Sequence, residues 1–145
     1  MVKGFKMEYN MDTVDKRIVE LLREDAKQNF KEIGEQIHMT GQAVGSRVRR
    51  MEDEGIIEGY TIKLNPQKLG LITVYITLIM KSTDHYRVRQ FAQERPEIIE
   101  AVRISGEGCY ILKVEVSNHD VLNELCNEVL KFANYRINIA TERIK

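Results

Sequence analysis

The fold is decided by residues 30–57, which read FKEIGEQIHMTGQAVGSRVRRMEDEGII. Apolar residues recur at helical spacing on both sides of a break at His38-Met39, and this pattern predicts two short helices joined by a tight turn. Thr40 is placed to cap the second helix, and Gly55 stands where a helix C′ glycine belongs. Helices in this arrangement form a helix-turn-helix, whose second helix enters the major groove of DNA. Its inward face is predicted to be Val44, Val48 and Met51.

The other faces of this second helix carry side chains suited to DNA. Glutamine fits adenine edges, arginine fits guanine edges and phosphates, and serine can reach either. The small residues Gly41, Ala43 and Gly45 are expected to keep the surface low, so that DNA can approach closely. A three-helix bundle with a solvated basic face would show the same pattern. The predicted DNA-binding residues are Thr40, Gln42, Ala43, Ser46, Arg47, Arg49 and Arg50.

Charge restricts any nucleic-acid surface to a local patch. The 145 residues contain 22 Lys and Arg against 22 Asp and Glu. Residues 1–60 hold ten basic and twelve acidic side chains, so the half with the helix-turn-helix is not basic as a whole. No acid lies between Glu35 and Glu52, and the arginines of the second helix fall in that gap. They form the expected electrostatic footprint.

Composition excludes several other classes of protein. Hydrophobic residues make up 43% and charged residues 30%, as in a soluble globular protein. No run approaches about 18 consecutive apolar residues, which excludes a membrane-spanning helix. Met1 to Tyr9 lack the apolar core of a secretory signal, and two cysteines give no disulfide framework. A reducing cytoplasm is the expected location.

The chain is predicted to divide into two domains. Asp12 is a plausible N-cap for a first helix, with Asp15 three residues on, where an acid favours a helix start. Residues 56–64 predict a short strand or ribbon that leaves the helices, which makes the first domain winged-helix-like. Asn65-Pro66 is a turn signal. We therefore assign residues 1–60 to the helix-turn-helix domain, 61–71 to a linker and 72–145 to a second domain.

The second domain changes to the alternating pattern of half-buried strands. Asp84 and Asn118 are predicted to cap its two helices, the first of which ends at Pro96. The order is βαββαβ, the ferredoxin-like arrangement, so the whole chain is α+β. The predicted strands are Ile72 to Met80, Ile98 to Ile104, Cys109 to Val116 and Tyr135 to Ile144.

One face of this small sheet has no helix to cover it. The positions on that face include Tyr75, Ile79 and Ile111, which are not strongly polar. An exposed apolar row of this kind is unfavourable in water. Self-association is therefore predicted, with a dimer as the minimum and further assembly to a tetramer or an octamer.

No pattern in the chain indicates catalysis, and we predict that the protein is not an enzyme, has no catalytic residues and uses no cofactor. Cys109 and Cys126 are expected to be small buried residues. His38, His85 and His119 are expected at the surface, since no other ligands are grouped around them at metal-binding spacing. A small ferredoxin-like enzyme with a helical cap fails because no acid, base and nucleophile converge.

The stretch Asp12 to Asp15, followed by Ile18 to Leu22, resembles the opening helix of the Lrp/AsnC family, the feast/famine regulators. Thr40 to Ile57 resembles the family's recognition helix and exit, with Val44, Arg47-Val48, Met51-Glu52 and Glu54 to Ile57 in place. The βαββαβ half resembles its effector-binding domain, often called RAM. The resemblance covers about residues 11–145, and two unrelated patterns occur in the correct order.

The resemblance implies an effector site in the turn between the second and third strands of this domain. The residues concerned are Gly106, Glu107, Gly108, Cys109 and Tyr110. Glycines suit such a site because backbone amides can approach a carboxylate unobstructed. The family frequently has Asp just before the tyrosine, and Cys109 removes that charged partner for an amino group. A tight structural turn is the alternative interpretation.

The resemblance implies a sequence-specific DNA-binding transcriptional regulator that responds to a free amino acid. Its partners would be double-stranded DNA, further copies of itself and the amino acid. The alternative is an architectural DNA-wrapping protein of the same fold without a small-molecule effector. The family often has a proline near Gly41 or Gln42 and a larger polar side chain near Ser46, so the operator sequence does not carry over.

Overall fold

The computed structural model describes residues 10–145. The chain divides into two compact units after Ile62. Met1 to Tyr9, the stretch considered above for a secretory signal, lies outside the described residues. Among the helices that are described, none is long and apolar enough to cross a membrane.

The first unit contains the three predicted helices, α1 (Thr13–Glu24), α2 (Phe30–Ile37) and α3 (Gly41–Asp53). Two capping boxes begin α1 and α2, because each N-cap side chain and the acid three residues on accept one another's backbone amide. The cap of α1 at Asp12 is as predicted. The buried core of this unit consists of Ile18, Leu21, Ile33, Val44, Val48 and Met51.

A left-handed residue and a glycine shape the turn between α2 and α3. His38 ends α2 with φ 58°, and the amide of Met39 donates to the carbonyl of Gly34 at 2.8 Å. A Cβ atom on Gly34 would lie 2.4 Å from the carbonyl oxygen of Met39, so no larger residue fits there without moving backbone.

Two glycines of α3 serve the same close packing. A Cβ on Gly41 would lie 3.0 Å from the amide nitrogen of Lys31, and one on Gly45 would lie 3.0 Å from the ring of Phe30. Both glycines therefore point towards α2. The prediction that they keep a DNA-facing surface low was wrong, because a helical period alone cannot tell which neighbour a small residue faces.

The end of α3 is a Schellman motif, as the position of Gly55 predicted. Gly55 has φ 71°, and its amide donates to the carbonyl of Glu52 at 3.0 Å. The amide of Ile56 donates to the carbonyl of Met51 at 2.8 Å. Ile56 and Ile57 then pack against the core of the unit.

The predicted strand at residues 56–64 is absent, and the described part of the first unit has no β-wing. Residues 56–64 form no β-ladder, since no other segment in the described part of the first unit is a strand. Tyr60 is instead attached to the end of α3, where its hydroxyl donates to Glu52 at 2.7 Å. Burial together with this acceptor raises the pKa of Tyr60 to about 12, so the hydroxyl keeps the proton that it donates.

The second unit has the predicted βαββαβ order. A short 3₁₀ turn at Gln67–Leu69 precedes it, and an antiparallel sheet forms in the order β2-β3-β1-β4. The strands are β1 (Ile72–Met80), β2 (Ile98–Arg103), β3 (Tyr110–Val116) and β4 (Ala133–Ile139), and the helices are α4 (His85–Glu94) and α5 (His119–Val129).

The limits of β4 differ from the predicted Tyr135 to Ile144. The strand pairs with β1 from Ala133 opposite Met80 to Ile139 opposite Val74. The amide of Ala140 then donates to the carbonyl of Thr73, close to the start of β1. The apolar residues beyond this point have no partner strand left, so the pattern that suggested a longer strand does not form one.

The two faces of the sheet differ as the alternation predicted. Val74, Ile76 and Leu78 of β1 are buried in one core with residues of α4 and α5. The opposite face has no helix over it in the described part of this unit. It carries two exposed apolar side chains, Tyr75 and Val102, and two half-buried ones, Ile79 and Ile111.

We predict that Gly34→Ala destabilises the first unit by about 1–3 kcal/mol, the typical cost of overpacking against atoms that cannot move. The matched control is Gly59→Ala, because a Cβ there meets nothing within 4 Å. Urea unfolding of both variants measures the difference. Equal stability of Gly34→Ala and the wild type would show that the turn can yield.

Candidate functional site

The first turns of α3 present a polar surface to solvent. Gln42, Ser46 and Arg49 are exposed, and Ala43 between them is half-buried. The Thr40 hydroxyl accepts from the amide of Ala43 at 3.2 Å and so caps the helix. The Ser46 hydroxyl donates to the carbonyl of Gln42 at 3.1 Å and can still accept a bond from outside. This surface offers side-chain donors and acceptors at helical spacing.

Two of the three arginines are bound to acids of the first helix. Nη1 of Arg47 donates to Asp12 at 2.6 Å and to Asp15 at 2.8 Å. Arg50 donates through Nη2 to the second carboxylate oxygen of Asp15. Arg49, in contrast, forms no hydrogen bond or ion pair with any residue in the range 10–145. The name "carboxylate clamp" is used below for Asp12, Asp15, Arg47 and Arg50.

Asp15 is the centre of the carboxylate clamp and the one buried charged residue in the described chain. Its burial is the largest influence and raises the carboxyl pKa. Hydrogen bonds from Arg47, Arg50 and the amide of Asp12 together outweigh burial, so the pKa lies below its ordinary value of 3.8. The pKa of Asp12 is also lowered, first by the amide of Asp15 and then by Arg47. Both carboxylates are therefore ionised at neutral pH.

The basic patch that the sequence suggested is thus smaller than expected. The prediction counted acids along the chain and found none near the three arginines. Asp12 and Asp15 lie 32 to 35 residues before Arg47 and Arg50, and folding brings them together. One signal pointed to this outcome. Asp15 lies three residues before Ile18, on the inward side of α1, where a buried acid requires a cationic partner.

The turn between β2 and β3 contains the predicted effector residues, and two of them require glycine. Gly106 has φ 111° and Gly108 has φ 92°. A Cβ on Gly108 would lie 2.5 Å from Cγ2 of Thr77, whereas a Cβ on Gly106 meets nothing within 4 Å. Gly108 therefore serves the packing of the turn, while the space beside Gly106 is open.

The other predicted effector residues have polar groups that are already engaged within the protein. The amide of Cys109 donates to the carbonyl of Leu78 at 2.7 Å, so it is not available to a ligand. Tyr110 is buried, and its hydroxyl lies 2.9 Å from Nδ1 of His85. The exposed carboxylate of Glu107 pairs with Arg136 at 3.2 Å. Only the backbone of residues 106–108 is left for a carboxylate, and the role of the turn stays a prediction.

His85 was predicted at the surface, but it is half-buried between Tyr110 and Arg103. Nη2 of Arg103 lies 3.3 Å from Nε2 of His85. His38 and His119 are exposed as expected. Cys126 is buried as predicted, and burial raises the pKa of its thiol. Cys109 was also predicted to be buried, but it is only half-buried, because it lies at the end of the turn that precedes β3.

Two family models match this chain. Residues 11–52 match the AsnC-type helix-turn-helix domain, and residues 73–145 match the Lrp/AsnC ligand binding domain. The chain is 43% identical to the HTH-type transcriptional regulator LrpB of Bacillus subtilis over 136 residues, which cover 93% of this chain and 91% of that one.

Solved structures show the same fold. LrpC of Bacillus subtilis superposes with a TM-score of 0.84 at 29% identity, over 93% of this chain and 97% of that one. A transcriptional regulator of Neisseria meningitidis, solved as a complex with L-methionine, superposes with a TM-score of 0.82 at 20% identity. That superposition covers 93% of this chain and 92% of the other.

Proposed function

Since the chain belongs to the Lrp/AsnC family of DNA-binding transcriptional regulators, we propose that it reads specific duplex sites through the exposed surface of α3. The observation that carries this proposal is the set of exposed side chains on the first turns of α3. Gln42 and Ser46 can reach base edges, and Arg49 is not engaged elsewhere in residues 10–145. Thr40 and Ala43 border this surface. Arg47 and Arg50 lie beside this surface, but their guanidinium groups are bound in the carboxylate clamp.

We predict that Arg49→Ala weakens DNA binding and lowers its salt dependence. Each phosphate that a protein neutralises makes the slope of log affinity against log salt concentration steeper by about 0.9. If Arg49 neutralises one phosphate, the slope of Arg49→Ala should therefore be less steep by about 0.9. The probe is a duplex selected from genomic fragments that the wild-type protein retains. Fluorescence anisotropy over a series of salt concentrations gives affinity and slope together.

The matched control for this experiment is Arg89→Ala, which removes the same charge from an exposed position on α4 of the second unit. It should leave the slope unchanged. If Arg49→Ala and Arg89→Ala bind with the same affinity and slope as the wild type, the proposed DNA surface is wrong.

We also propose that the chain dimerises through the helix-free face of its sheet. Tyr75 and Val102 are exposed there by 42% and 43%, and the same face carries the half-buried Ile79 and Ile111. Lys113, Glu115 and Arg136 lie among these apolar side chains on the same face, and such a mixture of apolar and polar groups is compatible with a protein interface. Dimerisation would also present two copies of α3 to two half-sites. Further assembly to a tetramer or an octamer belongs to the same proposal.

We predict that Tyr75→Glu weakens the dimer by about 30-fold or more, the effect of removing a central aromatic side chain from an interface. Tyr86→Glu is the matched control, because Tyr86 is 74% exposed on α4. Light scattering over a dilution series measures both. A monomeric wild-type protein at micromolar concentration, or a Tyr75→Glu dimer as tight as the control, would contradict the proposal.

We further propose that the turn at Gly106 to Tyr110 takes part in binding a free amino acid. Open space beside Gly106 and the unoccupied amides of residues 106–108 support this, as does the L-methionine complex of the Neisseria relative. A ligand there alters DNA binding only if it prefers one assembly or conformation over another. A typical coupling of about 1–3 kcal/mol would change DNA affinity roughly 5–150-fold.

We predict that Gly106→Ala abolishes this amino-acid response, since its methyl group enters the open space and φ 111° disfavours a side chain. Gly70→Ala is the matched control, because Gly70 also has a positive φ and open surroundings outside the turn. Calorimetry with all twenty amino acids, L-methionine first, measures binding. If no amino acid gives heat or changes DNA affinity or assembly, the architectural alternative is favoured.

A further inference from the structure

We propose that Asp15 positions α3 for DNA, with Arg47 and Arg50 acting as anchors of the helix and not as phosphate ligands. The proposal rests on the proposed function, because it assumes that α3 contacts DNA. Asp15 belongs to α1, which is not part of the DNA-binding surface. Under the proposal it nevertheless controls how well the surface of α3 fits DNA. The proposal also divides the three arginines of α3 into two classes, with Arg49 alone facing the nucleic acid.

Asp15 holds α3 at two points one turn apart. One carboxylate oxygen accepts from Arg47 at 2.8 Å, and the other accepts from Arg50 and from the amide of Asp12, the latter at 3.1 Å. Residues three apart on a helix lie on the same face. Two contacts on one face fix both the rotation of α3 about its axis and its position along α1.

The burial of Asp15 ties both guanidinium groups to its carboxylate. The Asp15 side chain has no exposed surface, whereas those of Arg47 and Arg50 are 29% and 41% exposed. Nε of Arg50 is buried without a hydrogen-bond partner. An unpaired buried donor is unfavourable, so the contacts at the other end of the guanidinium must outweigh it. Withdrawing either arginine towards DNA would leave the Asp15 charge buried and underpaired.

Electrostatics disfavours a phosphate at the same place. Asp12 and Asp15 are both ionised, and both accept from Nη1 of Arg47. A phosphate bound at Nη1 of Arg47 would be repelled by the two carboxylates that already accept hydrogen bonds from this nitrogen. Arg49 has no acid bound to it within the described chain, so it presents a net positive charge.

The two roles for Arg47 and Arg50 predict opposite effects of removing the acid. If the arginines are anchors, Asp15→Asn lets α3 move, so specific DNA affinity falls while the number of neutralised phosphates is unchanged. If they are phosphate ligands that Asp15 restrains, Asp15→Asn releases them. Affinity then rises, and the salt slope increases by about 0.9 for each additional phosphate bound.

The experiment measures DNA affinity against salt concentration for the wild type and Asp15→Asn at a temperature where both are fully folded by circular dichroism. We expect about tenfold or more loss of specific affinity, the effect of misplacing a side chain that reads a base, with an unchanged slope. Arg47→Ala should give the same loss and the same slope. The double variant, Asp15→Asn with Arg47→Ala, should lose no more DNA affinity than either single variant, because both substitutions break the same carboxylate clamp.

Asp12→Asn is a second variant that keeps the fold, since asparagine caps helices as well as aspartate does. It removes one exposed carboxylate from Arg47 and leaves Asp15 in place. Under the proposal it lowers affinity slightly or not at all, with no change of slope.

Three outcomes overturn the proposal. A higher affinity with a steeper slope for Asp15→Asn or Asp12→Asn makes the arginines phosphate ligands. A lower slope for Arg47→Ala does the same. Unchanged affinity of folded Asp15→Asn makes the clamp a purely structural feature. If the wild-type protein itself retains no DNA, the proposed function fails instead, and the two failures are thereby distinguished.

Discussion

The N-terminal unit depends on a negative charge that has no access to water. Asp15 has no exposed side-chain surface, and its carboxylate is held by an amide of its own helix and by two arginines of α3. Removing one partner of a fully buried ion pair costs about 3–5 kcal/mol. Here the cost is smaller, because the arginines are partly exposed to solvent. The arrangement still links the start of α1 directly to the middle of α3 through charged hydrogen bonds.

Close backbone packing complements this ionic link. Gly41 lies against the backbone of α2 and Gly45 against the ring of Phe30, while a Cβ at Gly34 would collide with the carbonyl oxygen of Met39 in the turn. The acids hold α3 from one side and the glycines hold it from the other. Because its inward faces are fixed in this way, α3 can leave Gln42, Ser46 and Arg49 in solvent. A rigid support is what a DNA-reading surface requires.

The second unit divides its tasks between the two faces of one sheet. Alternation places Val74, Ile76 and Leu78 under α4 and α5, and the same alternation leaves Tyr75 and Ile79 without a helix. The turn after β2 is folded back on β1 through Gly108 and the amide of Cys109, so the backbone of only three residues remains available there. The proposed dimer face and the proposed ligand-binding turn therefore belong to the same small domain.

Sequence patterns were sufficient to predict the features that depend on neighbours a few residues apart. These include the N-caps at Asp12, Thr40, Asp84 and Asn118, the Schellman end at Gly55, the alternation along β1 and β3, and the family. What each side chain faces became known from the folded chain. It paired Arg47 and Arg50 with acids more than 30 residues away, turned Gly41 and Gly45 towards α2, buried Tyr110 against His85 and ended β4 at Ile139. The physical reason is that helical and strand periods say which residues lie on the same face. They do not say which element that face meets, and charge, burial and strand pairing all depend on that second fact.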